Sequence, residues 1–314
     1  MSNAPELQQP NLPDPADEVG HPPGPEALWN ESWYFDFADL GAGLGGWVRL
    51  GLYPNKGRAW INALLCGPGL PTVALNDFTA AVPVDPAKVQ ADGFTLTQWA
   101  AERLQLYRVR FDGTAMAYDD PAALLRGEPG RPVRVEADLI WHTDGQPYRY
   151  TATSRYELPC EVSGAVAVDG VARTVGAAPG QRDHSWGVRD WWGVDWMWFA
   201  LHLRDGTRLH GVQVRVPGLA DTVGIGYAQR TGTPLIELTD IRADTDFGAD
   251  GLPGRTRLRL APGELAGDVE VLAHAPVRLV ADDGRVAQFP RAWVNVRLDD
   301  GRVGTGWMEW NRNL

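Results

Sequence analysis

From Ala27 onward the chain is built of short runs in which apolar and polar residues alternate, and this period of two constrains the fold more than any other feature. Across residues 133–141, the side chains of Val133, Val135, Ala137, Leu139 and Trp141 share one face, and the pattern returns at 209–216, 256–260 and 293–298. Such alternation describes strands with one apolar and one wet face. Asp-Gly pairs at 112–113, 144–145, 169–170, 205–206, 250–251, 283–284 and 300–301 read as hairpin turns, because both residue types tolerate the positive φ of a tight β-turn. Helical patterning is confined to 97–104 and, more weakly, to 121–126. Helices this sparse do not alternate with strands, which disfavours parallel α/β layers and leaves antiparallel barrels or sandwiches.

The 314 residues suffice for one large or two ordinary domains. Seven prolines scattered through residues 1–26 mark a disordered tail. The expected split lies near residue 170, with one β domain over 27–170 and a second over 171–314, although no internal repeat is visible. A net charge of −11 without basic runs argues against nucleic acid and anionic membranes as partners. Cys66 and Cys160 lack metal-type spacing and are too few for a disulfide framework, and whether they pair stays open. The N-terminus lacks a signal-peptide pattern, and no run approaches the roughly 18 apolar residues of a transmembrane helix, so the expectation is a soluble, cytoplasmic protein.

Five tryptophans, Trp186, Trp191, Trp192, Trp196 and Trp198, fall within thirteen residues, with Asp183, His184, Asp190 and Asp195 set among them. Indole N–H groups want partners when buried, and apolar walls around carboxyls shift their pKa values, so this segment is the expected working site.

Three motifs carry a family resemblance. The stretch Glu-Ser-Trp-Tyr-Phe-Asp at 31–36 resembles the opening signature of carotenoid 1,2-hydratase and AttH-like proteins. Gly-Gln-Arg-Asp-His-Ser-Trp-Gly at 180–187 is similar to that family's central Asp-His-x-Trp-Gly motif, and Gly-Trp-Met-Glu-Trp at 306–310 to its closing segment. Ser32, where the family usually has tryptophan, and the Trp-rich continuation after Gly187 mark an outlying branch. The resemblance implies two lipocalin-like antiparallel β-barrels or sandwiches packed together, with few short helices and a ligand cavity near their junction. It also implies chemistry seen in the family: hydratases that protonate an isolated alkene and add water, proteins that guide pericyclic cyclisation, and proteins that only bind lipids. A shared fold leaves that choice open.

The expected function is therefore a cofactor-independent hydratase (a hydro-lyase) or an intramolecular cyclase acting on an apolar isoprenoid-type small molecule. The alternatives are a non-catalytic lipid or terpenoid carrier and a pericyclic, Diels-Alderase-like cyclase. Asp183 is the expected proton donor, since alkene protonation needs an acid kept neutral until use, and His184 would bond that carboxyl or orient water. The competing reading caps a turn with Asp183, or pairs it with Arg182 or Arg189, and leaves His184 in the core. Trp186, Trp191, Trp192, Trp196 and Trp198 would wall the pocket and shield a cation, or simply form core. If 191–192 is extended, at most one of Trp191 and Trp192 reaches a ligand. Trp33, Tyr34, Asp36, Asp190 and Glu309 complete the candidate substrate-binding set, with packing and backbone satisfaction as the alternative for Trp33, Asp36 and Glu309. His184, His202 and His210 match no zinc spacing, so no metal is expected. Gly41, Gly43 and Gly46 fit G-x-G-x-x-G but precede a strand, which removes the phosphate-binding geometry, and no serine elbow is present.

Overall fold

The computed structural model describes residues 12–215 and 222–314. They form two antiparallel sheets of 11 strands each. The first contains β1 (Trp29–Asp39), β2 (Leu44–Tyr53), β3 (Arg58–Gly67), β4 (Leu70–Ala81), β5 (Lys88–Ala91), β6 (Phe94–Glu102), β7 (Leu106–Tyr118), β8 (Arg131–Thr143), β9 (Tyr148–Arg149), β10 (Arg155–Val168) and β11 (Val171–Val188). Its order β4-β3-β2-β1-β11-β10-β8-β7 closes on itself where Thr72 of β4 pairs with Tyr118 of β7. Closure removes the exposed edges that an open sheet would carry.

The second sheet contains β12 (Asp195–Leu203), β13 (Thr207–Arg215), β14 (Thr222–Arg230), β15 (Ile236–Leu238), β16 (Asp240–Phe247), β17 (Pro253–Ala261), β18 (Leu265–His274), β19 (Val277–Val280), β20 (Val286–Phe289), β21 (Arg291–Leu298) and β22 (Val303–Asn313). It runs β15-β14-β13-β12-β22-β21-β18-β17-β16, with the β19–β20 hairpin joined to β22.

Strand alternation distributes side chains among three cores. Along β1, Trp33, Phe35 and Phe37 fill the first barrel, whereas Tyr34 and Ala38 face the second sheet. Along β12, Met197, Phe199 and Leu201 fill the second sheet's interior, while Trp198 and Ala200 face the first. Trp47, Trp293 and Trp307 join the interface core. Indole N–H groups cross it: Trp307 donates to the Phe37 carbonyl at 2.9 Å and Trp47 to that of Ala275 at 3.3 Å. β1 is buried along its whole length because both of its faces are covered.

Several expectations need correction. Residues 97–104 are not helical: β6 covers most of them and pairs with β7, so long-range pairing overrides local propensity. The weaker helix exists as α1 (Ala122–Arg126). Asp112 and Gly113 lie inside β7, where a Cβ on Gly113 would meet the Phe94 Cβ at 2.4 Å, so this glycine permits close strand approach instead of a turn. Asp144 and Gly145 sit in the longer connection from β8 to β10, whereas the five later pairs occupy hairpin turns.

The Asp169-Gly170 turn joins β10 to β11, and β11 pairs with β1 as well as β10. The first sheet therefore extends to Val188, and the second begins at Asp195. Residues 1–11 of the expected tail lie outside the described residues, but 12–26 pack on the barrel. There Asp14 caps a 3-10 turn (Pro15–Glu18), and the buried Glu18 accepts a hydrogen bond from Arg182 at 2.8 Å. An ion pair buried in the barrel anchors this proline-rich segment although its composition favours looseness. Cys66 and Cys160 are buried free thiols. No helix among the described residues is long and apolar enough to cross a membrane.

Candidate active site at the junction of the sheets

A cavity of about 530 Å³ lies where the two sheets meet. Tyr34, Arg49, Arg155 and Asp183 reach it from the first sheet. Trp196, Trp198, Val212, Ile225, Arg291 and Glu309 reach it from the second. The connection carrying Trp191 and the segment around Tyr150 close its remaining sides. The first barrel is packed by comparison, with hollows of about 30 Å³ among Phe35, Phe111 and Trp141 and about 110 Å³ among Leu44, Leu70 and Val166.

Asp183 sits on β11 with its side chain toward the cavity, and the residue is 6% exposed. Arg155 donates to its Oδ2 at 2.8 Å and also binds the fully buried Glu157. Burial raises the Asp183 pKa to about 6, with Arg155 pulling it down, Glu157 pushing it up, and Arg189 and Arg49 pulling it down further. A carboxyl poised there exchanges a proton near neutrality, and the arginines stabilise the carboxylate left after donation.

Behind Arg155 lies a polar group that sequence reasoning missed. Tyr150 is hydrogen-bonded to His210 Nε2 at 2.5 Å, and His210 Nδ1 lies 2.9 Å from the Phe199 carbonyl. A carbonyl only accepts, so Nδ1 carries the proton and the Tyr150 hydroxyl donates to Nε2. Burial, with help from Arg155, pushes the His210 pKa well below the usual histidine range, which keeps the ring neutral. Gln181 and Trp198 donate to Glu157 at 2.8 and 3.3 Å. The alternation of Arg155 and Glu157 on one face of a strand was the available sequence signal; their partner His210 lies far along the chain.

The aromatic walls are already engaged. The Arg291 guanidinium lies 4.3 Å from the Tyr34 ring centroid and 5.0 Å from that of Trp198, and it pairs with Glu309 at 3.2 Å. Glu309 also accepts from the Trp196 indole at 3.1 Å. Arg49 lies 4.8 Å from the Trp191 ring. Trp186 lines the cavity while stacking on His21 at 3.9 Å. The protein's own cations thus occupy ring faces of Trp191 and Trp198 that were expected to shield a substrate cation.

Other candidates lie elsewhere. His184 points into the first barrel, the opposite face of β11 from Asp183, where it stacks on Trp33 at 4.6 Å and bonds Glu31 at 3.0 Å. It is not placed to bond Asp183. Asp36 accepts from the Gln181 backbone at 2.8 Å and the Tyr34 hydroxyl at 2.7 Å, and burial lifts its pKa to about 7. Trp192 borders a different hollow, beside Trp60 and Asp282. Asp190 is exposed and accepts the Trp192 amide at 3.0 Å, although it also borders the main cavity. Asp195 accepts from the Asn313 amide at 3.0 Å.

Among the described residues, the acid–histidine group able to hold a metal is His21, Glu31 and His184, with ligand atoms within 4.8 Å of one another. Both histidines are hydrogen-bonded to Glu31, so the cluster is satisfied as an internal network. His202 and His210 do not join it.

A family model described as a domain of unknown function, DUF7064, matches residues 14–314. The chain belongs to this family. No curated protein matches it by sequence. Several solved structures share its fold at low identity. An AttH-like protein (NE1406) from Nitrosomonas europaea is 17% identical with a TM-score of 0.65, the alignment covering 98% of each chain. Kievitone hydratase from Nectria haematococca is 12% identical with a TM-score of 0.62, covering 96% of this chain and 93% of its own. CghA is 13% identical with a TM-score of 0.56, covering 96% of both, and it has also been solved with Sch210972. The likeness is one of fold, and no carotenoid enzyme is among these three.

Proposed function

We propose that this protein is a hydratase or cyclase-type enzyme that transfers a proton from Asp183 to a largely apolar, isoprenoid-type small molecule in the junction cavity. One observation carries the reading: a buried carboxyl on the wall of a roomy cavity, with its pKa raised to about 6. In its protonated form Asp183 gives its proton to an alkene carbon. Water or an internal nucleophile then closes the cation, and a proton returns to the carboxylate. Arg155 lowers the cost of the ionised state between these steps. Trp196, Val212 and Ile225 offer apolar surface to the substrate body. Kievitone hydratase supports the reading, since its name attaches hydration to a protein of the same fold. His184 takes no part in the step.

The test is incubation with a panel of prenylated and linear isoprenoid alkenes in isotopically labelled water, followed by mass spectrometry. Hydration adds labelled oxygen and hydrogen, whereas proton-initiated cyclisation adds labelled hydrogen alone. Asp183→Asn should lower turnover by about 10²–10⁴-fold. Turnover unchanged in that variant removes the mechanism, and tight binding without product, indifferent to Asp183, identifies a carrier.

A further inference from the structure

Four arginines face the junction cavity, and they fall into two classes. Arg155 is bound by Asp183 and Glu157, and Arg291 by Glu309. Arg49 and Arg189 form no ion pair among the described residues. Arg49 is only 9% exposed, and its Nη2 has no hydrogen-bond partner. Asp183 is the nearby carboxylate that both arginines feel, yet it is in contact with Arg155 and with neither of them, and a buried guanidinium with no counter-ion in contact is costly unless a ligand meets it.

Its position is constructed by neighbouring residues. The guanidinium lies across Gly51, two residues along the same strand, where an added Cβ would stand 2.4 Å from Nη1 and 2.8 Å from Cζ. Any side chain at 51 would evict it. The Trp191 ring supports Arg49 at 4.8 Å and Arg189 at 6.0 Å, so one indole carries both unpaired cations. The Trp191 N–H is in turn fixed by the Tyr53 hydroxyl at 2.5 Å. Burial, and then the charge of Arg155, push the Arg189 pKa down to about 10, with Asp183 offsetting them only in part, so a further anion would relieve the cost. Apolar lining comes from Trp196, whose ring lies 5.3 Å from that of Trp191, and from Val212 and Ile225.

We propose that the ligand of this cavity is an amphipathic carboxylate whose anionic head is received by Arg49 and Arg189 while its apolar body lies against Trp196, Val212 and Ile225. This deepens the proposed function and rests on the same cavity being the ligand site. The incoming negative charge also favours the protonated form of Asp183, so the acid is loaded when substrate is in place.

A matched pair of fluorescent polyenes tests the assignment: cis-parinaric acid, ionised at the working pH, and its methyl ester. The acid should bind the wild-type protein about tenfold or more tightly than the ester, as expected for charge-assisted hydrogen bonds. Arg49→Gln and Arg189→Gln should each weaken acid binding by about tenfold to a hundredfold. Ester binding should stay within about twofold of wild type, which also reports an intact cavity. Where Arg49→Gln fails to fold, by circular dichroism, the more exposed Arg189 decides the matter. Equal affinity for acid and ester, failure of both to bind, equal loss of both in a folded variant, or full acid binding in the variants would overturn the proposal.

Binding needs no turnover, so the two readings separate. Asp183→Asn should preserve or tighten acid binding because it removes a nearby negative charge. Turnover that depends on Asp183 without discrimination between acid and ester would remove the anionic head alone.

Discussion

The two faces of β11 carry the same kinds of residue to opposite ends. Arg182 and His184 point into the first barrel, where Glu18 and Glu31 bind them in a packed interior. Asp183 and Ser185, the intervening residues, point to the junction, where the neighbouring space is a cavity of about 530 Å³. Burial does not distinguish them, since Arg182 is 2% exposed and Asp183 6%. The difference lies in what adjoins each charge. On one side every neighbour is protein, and the ion pair holds the N-terminal segment; on the other, room for a small molecule makes the same chemistry available for reaction.

The most severe way to test that contrast is Asp183→Asn, expected to remove turnover while thermal unfolding shifts little, because Arg155 keeps Glu157 as a partner. Glu18→Gln should do the reverse. It strips the buried Arg182 of its counter-ion at a cost of about 3–5 kcal/mol, read by urea denaturation, with turnover per folded molecule preserved. If Glu18→Gln abolished turnover at full stability, the separation of the two faces would be wrong.

The pH dependence sharpens the comparison further. A general acid must be protonated, so kcat/KM should be level below about 6, the Asp183 value, and fall as pH rises past it. An activity that instead rose through that value would make Asp183 a base. Asp36, held within the interface by Tyr34 and Gln181, should affect stability instead. Its folded-state pKa is raised from 3.8 to about 7, so its share of stability is present at low pH and lost as pH rises across that window. Asp36→Asn should flatten that slope in denaturation measured at several pH values.

The smallest expected effect separates two tryptophans of the Trp-rich segment, Trp192 and Trp198. Trp192→Phe should change stability by no more than about 1 kcal/mol, since its buried N–H has no partner to lose, and should leave turnover intact. Trp198→Phe removes a donor to Glu157 and should lower turnover measurably. Equal effects at both positions would contradict their assignment to different hollows.

Much of this architecture was legible locally. The period-two runs predicted antiparallel strands, and the segment from Asp183 to Trp198 held several of the residues that now border the cavity. His184 was misassigned because adjacency along a strand means separation across it. The division at residue 170 missed that β11 belongs with β1, a pairing between residues more than 140 positions apart, such as Tyr34 and Asp183. Local pattern contains no record of such partners.

Alternation was fixed by the sequence itself, because backbone geometry sends successive side chains of any strand to opposite sides, whatever that strand pairs with. It determined that Asp183 and His184 would part company. Which side would be hollow, and which arginines would stand there unpaired, depended on strands brought together from across the chain. Arg155 meets Asp183 over 28 residues, Trp198 meets Glu157 over 41 and Tyr150 meets His210 over 60. Those meetings are set by sheet order and by the packing of one sheet on the other, so only the tertiary structure decided them.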